Sequence, residues 1–365
     1  MSAVETKTVR NYGVDLLRML AMYMVLVLHI LGRGGVLTSA VPLSLEYNVA
    51  WLLETSAYCA VNCYGLISGY VGIKSTYRYS NVINLWTKVL FYSVGLLLVV
   101  ILFRPFYGGV LEAIKYCLPV SFRKYWYFTA YFAMFFFVPI LNFAIRSLTK
   151  KQAIASCVCI MGAFSVLQTL RGDLFLTGGG YSALWLIILY YFGGCIREFD
   201  LFSDLSKAKA VIGYCVTVTV SWGMKILGES VATHTGIQKI QSYSGILISY
   251  ISPTILFSAI FLVVLFGKMT LSEDRIKWVK KLSPLAFSVY LIHCHPLVWE
   301  IFDQKFAVFA SLPAVILILA VLVTAVIIYL CCSLIDYLRE LLFRTLKINY
   351  RIKNFEEKYI GSLWG

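Results

Sequence analysis

Charge is what this chain has least of. Only 14% of its 365 residues are charged, whereas soluble domains carry about a quarter, and mean hydropathy is +0.80 with 60% hydrophobic residues. The amphipathic periodicity of a water-soluble core of this size is missing. Apolar residues gather instead into runs of about twenty, which at about 1.5 Å per residue cross a hydrocarbon layer of about 30 Å. No small-residue cleavage site follows MSAVETKTVRNYGVDLLRML, so the first run is expected to be retained as a span. A disulfide framework is also lacking: nine of the ten cysteines fall within apolar runs as reduced packing residues, and Cys117 alone lies in an external loop. The net charge of +14 makes no basic stripe, which argues against nucleic acid and for anionic headgroups and an anionic cofactor. The glycine run in GDLFLTGGGYSALW lacks the lysine and strand of a phosphate-binding loop, so Gly178 to Gly180 are expected to form an outer turn.

What is present is an all-α, polytopic membrane helix bundle. Spans are expected near 14–32, 49–72, 82–103, 125–145, 153–169, 181–196, 209–227, 245–267, 285–302 and 312–335, about ten in all. With the N-terminus inside, 21 Lys and Arg residues fall in cytoplasmic segments and 9 in external ones, which puts both termini in the cytoplasm. Residues 104–124 and 228–244 form the two longer external segments, where a glycan can meet the protein. No internal repeat or linker divides the chain. Residues 1–335 are expected as one transmembrane domain and 336–365 as a basic amphipathic tail on the inner leaflet.

Ionisable side chains in lipid are expensive, so each one within a span is a functional candidate. In the first span, eleven steps of about 100° separate Arg18 from His29 and return to within about 20° of the starting direction, so the two share a face. Asp15 lies near the same face. Asp15, Arg18 and His29 form the expected catalytic stripe, with the imidazole suited to take a proton near neutral pH. Arg18 and His29 lie about 16 Å apart along the axis, a distance that suits a donor with phosphates on a fixed cation and a thin acyl-bearing arm.

An arginine and a histidine separated by ten residues in a first span resemble the signature of the acyltransferase-3 family. VNCYGLISGYVG, with Ser68 and Tyr70, is similar to that family's second-span ending. KYWYFTAYFAMFFFVPILN resembles its fourth span, GYSALWLIILYYFGGCIR its sixth, and LSPLAFSVYLIHCHPLV its late Tyr-Leu-x-His segment. By pattern, the chain resembles polysaccharide and lipopolysaccharide O-acetyltransferases. The resemblance implies acetyl-CoA or another acyl-CoA as cytoplasmic donor, an essential His29, and Arg18 close to the donor. Many members carry two arginines in the loop after the second span. This chain has Lys74 and Arg78, and lysine acts there as a point charge without a bidentate fork. Arg18, Lys74, Arg78, Ser68 and Tyr70 are therefore the expected cofactor-binding residues.

His293 and His295 flank Cys294 in the ninth span. Two positions apart on a helix point about 200° from each other, and no cluster of further ligands is visible, so no metal site is expected. The resemblance turns His293 toward the site and His295 away, with a kink at Pro296. Glu54, Tyr125, Trp126, Tyr127 and His293 complete the expected substrate side, aromatic rings being suited both to the interface and to stacking on sugars. The expected function is transfer of an acyl group, through His29 as base or relay, from cytoplasmic acyl-CoA to an extracytoplasmic glycan or lipid-linked saccharide at the plasma (inner) membrane. The rival is a small-molecule transporter or sensor on the same fold, for which the paired broken helices of inverted repeats are lacking.

Overall fold

The computed structural model describes residues 10–103, 106–359 and 361; Lys7 and Arg104, counted above for topology, lie outside them. The described residues contain helices and turns but no strand. The helices that build the bundle are α1 (Tyr12–Leu31), α2 (Leu45–Ala57), α3 (Ala60–Gly72), α4 (Tyr79–Phe103), α5 (Gly109–Cys117), α6 (Trp126–Phe135), α7 (Val138–Arg146), α8 (Lys150–Met161), α9 (Ala183–Glu198), α10 (Lys207–Thr235), α11 (Pro253–Gly267), α12 (Glu273–Leu282), α13 (Ala286–His293), α14 (Pro296–Phe302), α15 (Ala314–Thr345) and α16 (Ile348–Tyr359).

Each of the ten hydrophobic runs contains helix, but they differ in continuity. Among the described residues, five are helical segments long and apolar enough to cross a membrane, and two more are sharply bent pairs, so this is a membrane protein. One pair, α6 and α7, bends by 56° where Pro139 withholds a backbone N–H from the helix. The other breaks after His293 and resumes at Pro296 with a bend of 76°. Three expected boundaries are corrected. The second span is interrupted at Tyr58–Cys59. The eighth begins at Pro253, not 245, because Ser252 caps that helix by accepting from the Ile255 N–H and proline suits its first turn. The seventh runs on to Thr235, and a short helix at Gln238–Ser244 occupies most of the rest of the expected loop.

Helix α1 forms the axis of the bundle. The most apolar stretch of the segment Tyr12–Ser39 is 67% buried, against 17–22% for the other four segments, whose outer faces are left to lipid. It packs against α2, α3, α11, α12, α13 and α15. Beside it, α3 and α9 approach so closely that a Cβ on Gly69 would overlap the Tyr190 carbonyl and one on Gly193 the Leu66 carbonyl. Small residues let helix backbones meet in this way within a membrane. Two buried amides fasten the contact to its neighbours. Asn62 donates to the Tyr250 carbonyl (2.7 Å) and accepts from Trp185 Nε1 (3.0 Å), while Asn142 donates to the Gly72 carbonyl (3.2 Å) and accepts from the Tyr190 hydroxyl (2.9 Å).

The expected end of the last span at 335 is also corrected. Helix α15 continues without a break to Thr345, and the next residues, Asp336 and Arg339, are buried inside the bundle. Asp336 accepts from Arg339 Nε (2.6 Å) and from the Tyr92 hydroxyl (2.7 Å), with Lys88 Nζ at 3.9 Å, so two cations compensate one buried carboxylate. After it, α16 docks through Glu356, which accepts from the first-turn N–H of Ser80 in α4 (3.0 Å). Residues 360 and 362–365 of the expected tail lie outside the described residues.

Candidate functional site

The first-span stripe divides into two ends. At the N-terminal end Asn11 caps α1, accepting from the Val14 N–H, and also donates to the Gly267 carbonyl (2.8 Å). One turn on, the buried Asp15 accepts from Arg10 Nε at 2.6 Å and from Arg18 Nη1 at 2.7 Å. Both carboxylate oxygens are therefore taken up in fixing two guanidiniums. Asp15 and Arg18 do not touch His29: they belong to a cationic end that lies along the helix from the imidazole, about 16 Å away at Arg18 and about 21 Å at Asp15.

A cavity of about 330 Å³ opens at this end, lined by Arg10, Asn11, Asp15, Arg18, Tyr70, Val71, Lys74, Ser75 and Arg197. Arg197 donates to the Tyr70 hydroxyl (3.2 Å), and Lys74 pairs with Glu198 (2.5 Å). Four cations meet two carboxylates, so the cavity is net positive. Of the expected cofactor residues, Arg18, Tyr70 and Lys74 line this cavity, whereas Ser68 and the exposed Arg78 do not. Arg10 and Arg197 went unnoticed in the sequence because each looks like an ordinary basic residue at the end of a span. Only the packing of α3 against α9 brings Arg197 to Tyr70.

A second cavity, of about 380 Å³, shares Arg10 and Arg18 with the first and adds Tyr64, Ser68, Leu85, Tyr127, Tyr131, Ser283, Pro284 and Phe287. A third, of about 60 Å³, shares Tyr64, Tyr127 and Phe287 with the second and reaches His29, with Met22, Val25, Trp126, Tyr181, Tyr250 and Tyr290 among its other lining residues. The three cavities thus follow one another along α1 from the guanidiniums to the imidazole, neighbouring ones sharing wall residues. Tyr64 stands where the second and third meet, its hydroxyl donating to the Arg18 carbonyl (2.9 Å).

Around His29 the tertiary structure assembles groups from the far end of the chain. His29 Nδ1 lies 2.9 Å from His293 Nε2, and His293 Nδ1 lies 2.5 Å from the Val289 carbonyl. A carbonyl only accepts, so His293 carries its proton on Nδ1. With both imidazoles neutral, His293 Nε2 is then the acceptor, His29 donates from Nδ1, and the lone pair of His29 is held at Nε2. Trp299 packs edge-on against His29, with ring centroids 4.5 Å apart. The Tyr290 hydroxyl accepts from the Tyr127 N–H (3.3 Å), which leaves its own proton free to donate.

Several expected substrate residues are redistributed. Trp126 and Tyr127 line the His29 cavity. Tyr125 does not; it is buried 6.3 Å from the His295 ring. Glu54 is buried with Oε2 unpartnered and lies outside these three cavities. His293 sits behind His29 and is absent from the lining. His295 is turned away, its Nε2 3.1 Å from the Ser93 carbonyl and its ring stacked on Tyr116.

The tertiary structure also builds a group of possible ligands around His29. The donor atoms of His29, His293 and Cys294 lie within 4.8 Å of one another, a cluster that the sequence hides because α1 and α13 are far apart in the chain. Cys294 is no simple packing residue: its Sγ is 3.6 Å from His29 Nδ1 and 3.3 Å from His293 Nε2.

No curated protein and no solved structure matches the chain. The model of one family, described as an acyltransferase domain, matches residues 11–333. That match takes in α1, all of the cationic cavity's lining but Arg10, and the His29–His293 pair, and the chain therefore belongs to the acyltransferase-3 family.

Proposed function

We propose that the protein moves a short acyl group, acetyl, from a cytoplasmic acyl-coenzyme A to a hydroxyl of an extracytoplasmic glycan or lipid-linked saccharide at the plasma membrane. The observation that carries this reading is the path of three cavities from Arg10, Arg18, Lys74 and Arg197 to His29. A nucleotide-bearing donor needs cations for its phosphates and a narrow passage for its arm, and both occur here in that order. The end of the path is small. A cavity of about 60 Å³ at this end suits a short acyl group.

In this reading His29 Nε2 takes the proton of the acceptor hydroxyl as its oxygen attacks the thioester carbonyl. Tyr290 donates to the oxygen that becomes negative. Collapse breaks the carbon–sulfur bond, and the leaving thiolate regains the proton from His29. His293 does not meet the substrate; it holds the His29 tautomer, and Val289 in turn holds His293. Arg10 and Arg18, fixed by Asp15, receive phosphate oxygens in charge-assisted hydrogen bonds, with Tyr70 and Ser68 beside the path. Trp126 and Tyr181 offer ring faces to the acceptor at the outer mouth.

The test is mass spectrometry of cell-envelope glycans from cells with and without the gene. An acetyl-sized mass difference, restored by the wild-type gene and not by His29→Ala, is the expected result. Identical glycan masses in the two strains would reject the reading.

A further inference from the structure

Cys294 has no part in the proposed transfer, yet it is placed where both imidazoles can be reached by one ion. The three donor-to-donor separations are 2.9 Å for the two ring nitrogens and 3.6 and 3.3 Å for the sulfur to each of them. Zinc binds histidine nitrogen at about 2.0–2.1 Å and thiolate at about 2.3 Å, so the edges of a tetrahedral site measure about 3.3 Å between nitrogens and about 3.6 Å between nitrogen and sulfur. The cluster is within a few tenths of an ångström of that triangle. The outer partner of a zinc-bound imidazole is also in position, since His293 donates its remaining N–H to the Val289 carbonyl. Two nitrogens and a sulfur, with no carboxylate among them, select zinc and similar thiophilic ions over magnesium or calcium.

We infer that His29, His293 and Cys294 form an inhibitory zinc site whose occupation excludes catalysis. Zinc is held by His29 Nδ1, His293 Nε2 and Cys294 Sγ, with the fourth position left to water. The thiol releases one proton on binding. His29 must clear Nδ1 for the metal, so its proton moves to Nε2, where the basic lone pair stood. The exclusion of catalysis rests on the transfer mechanism proposed above; the binding of the metal does not.

The experiment uses the purified full chain in detergent with Co²⁺ alone as the probe, followed by displacement with Zn²⁺. One equivalent of Co²⁺ should produce a thiolate-to-cobalt absorption in the near ultraviolet and tetrahedral bands in the visible. Cys294→Ser should abolish the thiolate band, and His293→Ala should weaken binding by more than about 100-fold, since even outer partners of a metal site are worth 10–100-fold. Retention of the thiolate band in Cys294→Ser assigns the metal to another cysteine and overturns the site, as does the absence of any one-equivalent band in the wild type. In the transfer assay, Zn²⁺ should inhibit the wild type reversibly, with recovery on chelation, while Cys294→Ser keeps its basal rate and loses most of the sensitivity. Full turnover with the metal bound overturns the exclusion. A wild type that transfers no acyl group at all counts against the functional reading, and the cobalt spectrum still decides the site.

Discussion

His29 Nδ1 lies 2.9 Å from Nε2 of His293, a residue 264 positions further along the chain. This contact assigns the two histidines different tasks, one facing the cavity and one behind it. His29→Ala should reduce acyl transfer by at least about 10²–10⁴-fold, the usual contribution of a positioned base, with membrane abundance unchanged. His293→Ala should lower kcat by a similar factor while leaving KM for the donor near the wild-type value, because the loss is one of orientation. His293→Gln, whose side-chain oxygen can accept from His29 Nδ1, should recover part of kcat. A purely structural role for His293 predicts equal losses in both variants and a fall in protein abundance.

Tyr290→Phe removes a hydroxyl of the His29 cavity that accepts from the Tyr127 N–H and keeps its own proton to give. If that proton steadies the developing oxyanion, kcat should drop by about 10²–10³-fold with donor affinity unaltered. Single-turnover measurements with saturating donor separate this loss from a binding defect.

The cationic cavity makes a prediction that discriminates among neighbouring residues. Arg10→Ala, Arg18→Ala and Arg197→Ala should each weaken coenzyme A binding by about 1.5–3 kcal/mol, the range for hydrogen bonds to charged groups. Arg78→Ala should have little effect, because Arg78 is exposed and does not line the cavity. Titration calorimetry with coenzyme A at low and high ionic strength checks both statements, and the affinity of the wild type should fall as salt rises. Equal affinity in the Arg10/Arg18/Arg197 triple variant and the wild type would place the donor elsewhere.

Orientation is the remaining test, since the mechanism needs donor and acceptor to arrive from opposite sides. In a background stripped of native cysteines, a cysteine at Ser44 or Thr235 should react with an impermeant external thiol reagent, and one at Ser272 should not. The reverse pattern would invert the protein and remove the transmembrane route for the acyl group.

The sequence by itself determined the solvent and the axis of this protein. Runs of apolar residues with few charges can satisfy their backbone only as helices in lipid, and the spacing of Arg18 and His29 is a property of one helix, so both were legible without a partner. The small residues Gly69 and Gly193 were visible as well, but not that they would meet, and Arg197 joins the cationic cavity only because they do. His293 and Cys294 were read on a continuous helix, where neighbouring positions point apart. The break between His293 and Pro296 and the packing of α13 on α1 decided otherwise, and brought both to His29. Local periodicity fixes what a segment prefers, whereas a site built from residues 264 positions apart depends on which helix faces touch, and that is settled only when the whole bundle packs.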